Sequence, residues 1–501
     1  MAVLSSDIAA GGSFDDTTRP GLWIPPALRE AWPHLPGFLP EFRLLDAPPP
    51  PGSGDLTAGE GAAAFHEAPV DTPAFNGLRR PVALVFPGLP PAAPPPGPEV
   101  VAALAPQGPL SPHTRFADPF RARPCSAAEA AAILELWRRT ETENRAIGAF
   151  LHMQRWKRAA IATAFGHRDG HAPFAETPAE ALAQQRGAVL AWATRLSAET
   201  EAEAARRGVP LWRVEDGFLR SIGLGVNFAP AASLAVDPIG MHYDATRPSR
   251  LERILAETAF APELLARARA LREEIARRDI TKYNLDQAPP PLPATPGRPR
   301  LLVVGQVEDD ASIRFGAGRI RTNAALLAAV RAAHPDAFIV WKPHPDVETG
   351  YRRGYLPPRQ ALRYADTVLP QGDIRPLFRQ VDALHTMTSL AGFEALLRGL
   401  PVTTWGRPFY AGWGLTTDMD PPPRRGRRLS LDELVAGALI LYPRYQDPVT
   451  GLPCTPELLL ERLSNPRLWP PLPPGQARWL RWWKLQGRIL RALRHWGVWQ
   501  R

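Results

Sequence analysis

Cysteine is nearly absent, with Cys125 and Cys454 the 2 in 501 residues. Neither belongs to a CxxC pair, so neither a disulfide framework nor a thiolate zinc site is expected. Long apolar runs are missing too. No window holds about 18 consecutive apolar residues, the least that reads as a spanning helix. The opening "MAVLSSDIAAGGSFDD" has no basic stretch leading into an apolar one, so no secretory leader is visible. These gaps together predict a cytoplasmic protein.

Proline, by contrast, is plentiful at 59 residues. It gathers in "APPPPGSG" and "PGLPPAAPPPGPE" and again near the C-terminus. Such segments favour extended conformations and bury little, so residues 1–110 read as a Pro-rich extension. The formal charge of +9 favours anionic partners such as nucleotides, lipid surfaces or nucleic acid. A hydrophobic fraction of 45% is enough for sizeable cores.

From Ser126 onward the pattern becomes regular. "AAEAAAILELWRRTETEN" predicts a helix, and "GAVLAWA" (187–193) a buried strand. "SAETEAEAARRG" predicts a helix capped by Ser197 and stopped by Gly208. "VPLWRV" predicts the next strand, running straight into Glu215, Asp216 and Gly217. Residues 251–279 read as one long helix, and "QAPPPLPATPGRP" (287–299) as a linker. The alternation then restarts, with strands at "RLLVVG", "AFIVWKP", "ADTVLP", "VDALHT" and "PVTTWG". Helices are expected at "TNAALLAAVRAAH", "DIRPLFRQ" and "SLAGFEALLRG". Two α/β units around a linker predict two Rossmann-like domains facing a cleft, over 111–286 and 300–465.

Ligands in open parallel sheets bind beyond the carboxyl ends of the strands. Three motifs fall there: Glu215-Asp216-Gly217, "KPHP" (342–345) and "HTMTSLAGFE" (385–394). A carboxylate at Asp216 can act as nucleophile or base on a sugar carbon, or simply cap a turn. Arg220 can bind the carboxylate of an acidic sugar. In "KPHP", prolines fix His344 to donate a hydrogen bond to a leaving phosphate, with Lys342 adding charge. The alternative is a rigid turn with a solvated histidine. Thr388 and Ser389 open a helix, which suits a phosphate, and Glu394 can reach ribose hydroxyls. The alternative there is an ordinary capped core helix. "GQVEDDASI" offers Gln306, followed by three acids that should diverge rather than bind a metal. Tyr410 and Trp413 in "PFYAGWG" either stack on a ligand or pack in the core.

The stretches "VEDGFLRSIGLG", "GQVEDDASIRFGAGRIRTN", "WKPHPDV", "HTMTSLAGFEALLRG" and "PFYAGWGLTTD" resemble, in order, the bacterial capsule polysaccharide biosynthesis family of retaining β-Kdo glycosyltransferases. The resemblance runs over about residues 120–465 and is nearest the C-terminal module of the two-module enzyme that builds a poly-Kdo linker on a lipid. It implies a GT-B-like fold, CMP-β-Kdo as donor, a Kdo-terminated lipid as acceptor, and net retention. It implies Asp216 as nucleophile with Glu215 beside it, and places Lys342, His344, Thr388, Ser389 and Glu394 at the nucleotide. Arg220 and Gln306 fall at the donor sugar. No cofactor or metal is expected. The rival readings are an inverting CMP-sialic acid-type transferase, which carries similar acidic, His-Pro and Ser/Thr motifs, and a non-catalytic scaffold for capsule assembly.

The tail, residues 475–501, sets Trp479, Trp482, Trp483, Ile489, Leu490 and Leu493 at helical spacing. Arg481, Lys484, Arg488 and Arg491 fall largely opposite. A basic amphipathic helix with tryptophans suits an anionic membrane surface, and the alternative is a helix docked on the protein's own body. A peripheral place on the inner membrane is therefore expected, with other capsule-assembly proteins as conceivable partners. No nucleic-acid partner is expected, because no recognition fold accompanies the tail.

Overall fold

In a computed structural model, the protein is described over residues 116–469, apart from 122, 168–169, 185, 223–229, 283–289 and 349–351. Three short strands nearer the N-terminus are also described. The tail at 475–501 lies outside the described residues, as does most of the 1–110 extension. The described residues fall into two compact units, one drawn from Met1–Ala146 and Ile161–Ala172, the other from Ile147–Ala160 and Pro173–Arg501.

Within the first unit, β1 (Gly21–Trp23) pairs in parallel with β2 (Arg43–Leu45) and β3 (Leu56–Thr57). The N-terminal region thus carries more regular structure than its prolines suggested. β4 (Phe116–Asp118) and β5 (Arg123–Cys125) form an antiparallel pair. The helix Ala127–Arg145 follows, and it starts where a capping box dictates. The Ser126 side chain accepts from the Glu129 N–H, and the Glu129 carboxylate accepts from the Ser126 N–H.

The second unit holds two sheets. The strands of the first are β6 (Ile147–Leu151), β7 (Phe174–Ala175), β8 (Ala188–Trp192), β9 (Leu211–Asp216) and β10 (Ser233–Asp237), joined later by two more. β8 and β10 are buried at every position; β8 is a continuous apolar run, while β10 buries Ser233 and Asp237 at its ends. The second sheet comprises β11 (Arg300–Val304), β12 (Phe338–Lys342), β13 (Thr367–Val368), β14 (Ala383–Thr386), β15 (Val402–Thr404) and β16 (Thr417–Asp418). Its spatial order is β13-β12-β11-β14-β15-β16, and every pairing is parallel. That is the doubly wound nucleotide-binding order, whose crevice opens between β11 and β14, where the winding reverses. Its core packs Leu301, Val303, Ile339 and Trp341 against Leu326, Leu327 and Val330 of the helix Asn323–Ala333.

The chain does not finish in the second sheet. β17 (Pro443–Gln446) and β18 (Pro453–Cys454) return to the first, giving the order β18-β17-β10-β9-β8-β6-β7. This differs from the expectation that residues 300–465 belong together. The cause is β10, which runs antiparallel to β9 and offers its outer edge to β17. The helix expected over 251–279 is likewise two, Arg250–Glu257 and Pro262–Arg277. Pro262 sits at the first turn of the second helix, and the residue before a proline avoids the helical region. The predicted fold class holds: two Rossmann-like layers, GT-B-like, facing one cleft.

Candidate active site

The carboxyl ends of both sheets line a cleft of about 780 Å³. In the first sheet the winding reverses between β6 and β8, and the chain leaving β6 delivers Gln154, Trp156 and Lys157 to the cleft. β8 delivers Thr194, and β9 delivers Glu215 and Asp216. Gly217 ends β9 because nothing larger fits: a Cβ there would stand 2.3 Å from Ser233 Oγ on β10. The turn after Asp216 therefore hugs the neighbouring strand, and its N–H donates to the Ser233 carbonyl at 2.8 Å.

Asp216 is held at both oxygens. Lys157 Nζ donates to Oδ1 at 3.0 Å, and Arg220 Nε to Oδ2 at 2.7 Å. Burial works to raise the Asp216 pKa, but Arg220, Lys157 and Lys282 outweigh it and hold the carboxyl well below its usual range. Glu215 goes the other way. Burial and then the Asp216 charge push it up to about 7, against the Thr194 N–H that donates to its Oε1 at 3.0 Å. Two adjacent carboxylates thus have opposite characters, one locked as an anion and one poised near neutrality.

Arg220, read from sequence as a sugar-carboxylate ligand, lines the cleft but is 1% exposed, with its guanidinium on Asp216 and on Ser221 Oγ, the latter at 2.6 Å. Lys157 is a second cation lining the cleft on this side, and the sequence reading missed it. The signal was the short buried run Ile147–Leu151, whose end places "QRWK" at the switch point.

The opposite wall is also lined by ionisable groups, Lys342, Asp346, Arg352 and Asp373 among them, and adds a polar network at its strand ends. Gln306 follows β11 and Thr388 follows β14, so they meet across the reversal point of the second sheet. The Gln306 side chain donates from Nε2 to Thr388 Oγ1 at 2.9 Å, and its Oε1 accepts from the Thr388 N–H at 2.7 Å and Thr386 Oγ1 at 3.3 Å. Gln306, expected at the donor sugar, lines the cleft and fixes this turn. The backbone N–H groups of Thr388 and Ser389 are engaged with Gln306 Oε1 and Thr386 Oγ1. The hydroxyls remain: Thr388 Oγ1 accepts from Gln306 and Ser389 Oγ accepts from the Ala391 N–H at 3.2 Å, so each keeps its own proton to donate.

His344 follows β12. Its Nδ1 accepts from the Asp346 N–H at 3.1 Å, which fixes the tautomer with the proton on Nε2, and burial lowers its pKa. The imidazole is therefore a neutral donor. Lys342 is buried, which lowers its pKa to about 8 against the pull of Glu348 and Asp373. Glu394, raised by burial, accepts from the Lys282 N–H at 2.6 Å and brings that lysine's segment to the cleft. Gly392 admits the Tyr410 hydroxyl, which donates to the Ser389 carbonyl. Tyr410 and Trp413 are fully buried, so they pack rather than stack on a ligand. The acids after Gln306 diverge. Glu308 accepts from the Asn323 N–H, Asp309 pairs with Arg352, and Asp310 caps the helix Ala311–Gly316.

Residues 187–289 and 287–445 match the family described as "Capsule polysaccharide biosynthesis protein". The chain belongs to that family. It is 48% identical over 262 residues to the capsule polysaccharide modification protein LipA of Neisseria meningitidis serogroup A, which spans 52% of this chain and 37% of that protein. It is 46% identical over 245 residues to the lipopolysaccharide-processing protein LpsZ of Rhizobium meliloti, spanning 48% of this chain and 56% of that one. The match thus spans about a third to a half of these relatives' length. Among solved structures, the β-Kdo 2,7 transferase of Thermosulfurimonas dismutans KpsC is 38% identical with a TM-score of 0.54, covering 64% of this chain and 99% of that one. The β-Kdo 2,4 transferase of the same protein is 34% identical with a TM-score of 0.56, covering 64% and 98%.

Proposed function

We propose that this protein is a glycosyltransferase that moves β-Kdo from CMP-β-Kdo to a Kdo-terminated glycolipid, with retention, in capsular polysaccharide synthesis. The observation that carries the reading is Asp216, an anion fixed by two cations at a strand end of the first sheet, across the cleft from the doubly wound second sheet. Likeness to two β-Kdo transferases supports the sugar.

An oxygen of Asp216 attacks the anomeric carbon. The bond from that carbon to the phosphate oxygen breaks, and CMP leaves with the electron pair. His344 Nε2–H, Lys342 and the hydroxyls of Thr388 and Ser389 meet the phosphate as its charge grows. The acceptor hydroxyl then attacks the same carbon, its proton passes to Glu215, and Asp216 departs as a carboxylate. Two inversions give net retention. A carboxylate held this acidic is a poor base but a good leaving group in the second step, which favours a nucleophile over the general base of an inverting sialic acid-type enzyme. The chemistry proposed draws on side chains alone, without a metal. The basic tail would hold the enzyme at the cytoplasmic face of the inner membrane.

The test is incubation with CMP-Kdo generated in situ and a synthetic Kdo-terminated glycolipid. A β-linked product and a Kdo adduct on Asp216 in the mass spectrum are expected. An inverted product would establish the sialic acid-type mechanism. No CMP release with any acceptor would leave a scaffold.

A further inference from the structure

Asp216 touches two cations that stand differently. Arg220 lies beneath it, 1% exposed, with its guanidinium on Asp216 and Ser221. Lys157 stands at the cleft with its side chain 13% exposed. Its ammonium sits 3.4 Å from the centre of the Trp192 ring and 5.2 Å from that of Trp156. A ring face holds a cation without consuming a directed N–H. An ammonium has three N–H donors, and Asp216 Oδ1 takes one at 3.0 Å.

A keto-acid sugar carries a carboxylate on the same carbon that departs from the phosphate. An attacking oxygen approaches that carbon to roughly 3–3.5 Å. The carboxylate carbon is one bond away, about 1.5 Å. A carboxylate on the carbon that Asp216 attacks, turned toward the Oδ1 side, therefore comes within hydrogen-bond reach of the ammonium already on Asp216.

We propose that Lys157 reads the sugar's carboxylate and so restricts the enzyme to keto-acid donors, an inference that rests on Asp216 attacking the anomeric carbon. Arg220 sets the charge of Asp216 from below. Lys157 bridges Asp216 and substrate from the side. Burial lowers the Lys157 pKa; the charged groups that face it are Asp216 and Glu215, which oppose that shift, and Arg220, which adds to it.

The experiment compares CMP-Kdo, generated in situ, with the same donor whose carboxylate is reduced to a hydroxymethyl group, reading CMP release as kcat/KM. The wild type is expected to prefer the acid donor by roughly 10- to 100-fold, the worth of a charge-assisted hydrogen bond. Lys157→Met should bring that preference to within about threefold of unity, and Lys157→Arg should restore most of it. A lysine that only tunes Asp216 would slow both donors alike, so an unchanged ratio in Lys157→Met overturns the inference. Thermal unfolding and CMP binding check each variant's fold, and Lys157→Gln repeats the test if the methionine variant does not fold. If the wild type releases no CMP from the acid donor, the functional reading itself fails. An active wild type with an unaltered ratio in the variant sinks this inference alone.

Discussion

The two walls of the cleft are both built from strand ends at a winding reversal, yet they handle charge differently. The wall of the first sheet clamps one carboxylate, with Asp216 between Lys157 and Arg220 and Glu215 alongside. The wall of the second carries more ionisable side chains in all, yet at its strand ends stand a neutral imidazole, two oriented hydroxyls and a lysine with lowered pKa. On the proposed mechanism the difference has a use. A carboxylate that attacks carbon has to start each turnover as an anion, and a site that releases CMP is better served by donors that do not bind it too tightly.

The largest expected effect tests the wall of the first sheet. Asp216→Asn keeps the shape and removes the anion, and transfer should fall by about 10³-fold or more. CMP affinity, read by titration calorimetry, should stay within about threefold, since the proposed nucleotide site lies on the other wall. Equal losses in both would erase the division of labour.

His344→Ala tests the wall of the second sheet. It removes the Nε2–H donor, and kcat/KM should fall roughly 10- to 100-fold with CMP affinity reduced as well. Ser389→Ala should follow in the same direction with a smaller loss, because the Thr388 hydroxyl remains.

A pH profile separates the walls more finely. Glu215 must be ionised to take a proton, so the rate should rise as pH passes about 7. Lys342 must be protonated to attract phosphate, so the rate should fall again above about 8. Each limb changes the rate by at most about tenfold per pH unit. Glu215→Gln should lower the rate and flatten the acid limb. Lys342→Arg should remove the alkaline limb alone, because an arginine stays charged there. An alkaline limb unmoved in Lys342→Arg would remove that lysine from the phosphate.

The smallest effect should come from ending the chain at residue 474. Transfer to a soluble acceptor should be unchanged, while co-sedimentation with anionic vesicles should be lost. The tail's four or more cations are each worth about 1 kcal/mol at such a surface. Equal vesicle binding by both chains would place the membrane contact elsewhere.

Much of the fold was legible where one local signal sufficed. β8, β9, β11, β12 and β14 are apolar runs ending in turn residues, and Ser197, Thr322 and Ser389 announce their helices by capping. What failed depended on long-range pairing. β6 follows the helix Ala127–Arg145 after a single residue, with neither Gly nor Pro between them, so its five residues merge with an Ala-rich helical pattern. Losing β6 lost Lys157. β17 opens with proline and holds Arg444 and Gln446, and it is a strand only because β10 lies beside it. Within the site, residue positions were legible from the strand ends, but orientation was not. Nothing local in "EDGFLR" says that Arg220 folds under Asp216, or that the Gln306 amide is committed to the Thr388 turn.

The return of β17 to β10 bears on how this protein is made. β10 is buried at all five positions and takes its outer hydrogen bonds from a strand about 200 residues later. A nascent chain on the ribosome completes the whole second sheet before that partner emerges. During this interval the first sheet presents the unpaired backbone edge of β10, the kind of surface that recruits stray strands. Synthesis that stalls between residues 304 and 443 should therefore yield aggregates with a complete Asp216 strand. Chaperone demand should drop sharply once residue 454 has cleared the exit tunnel.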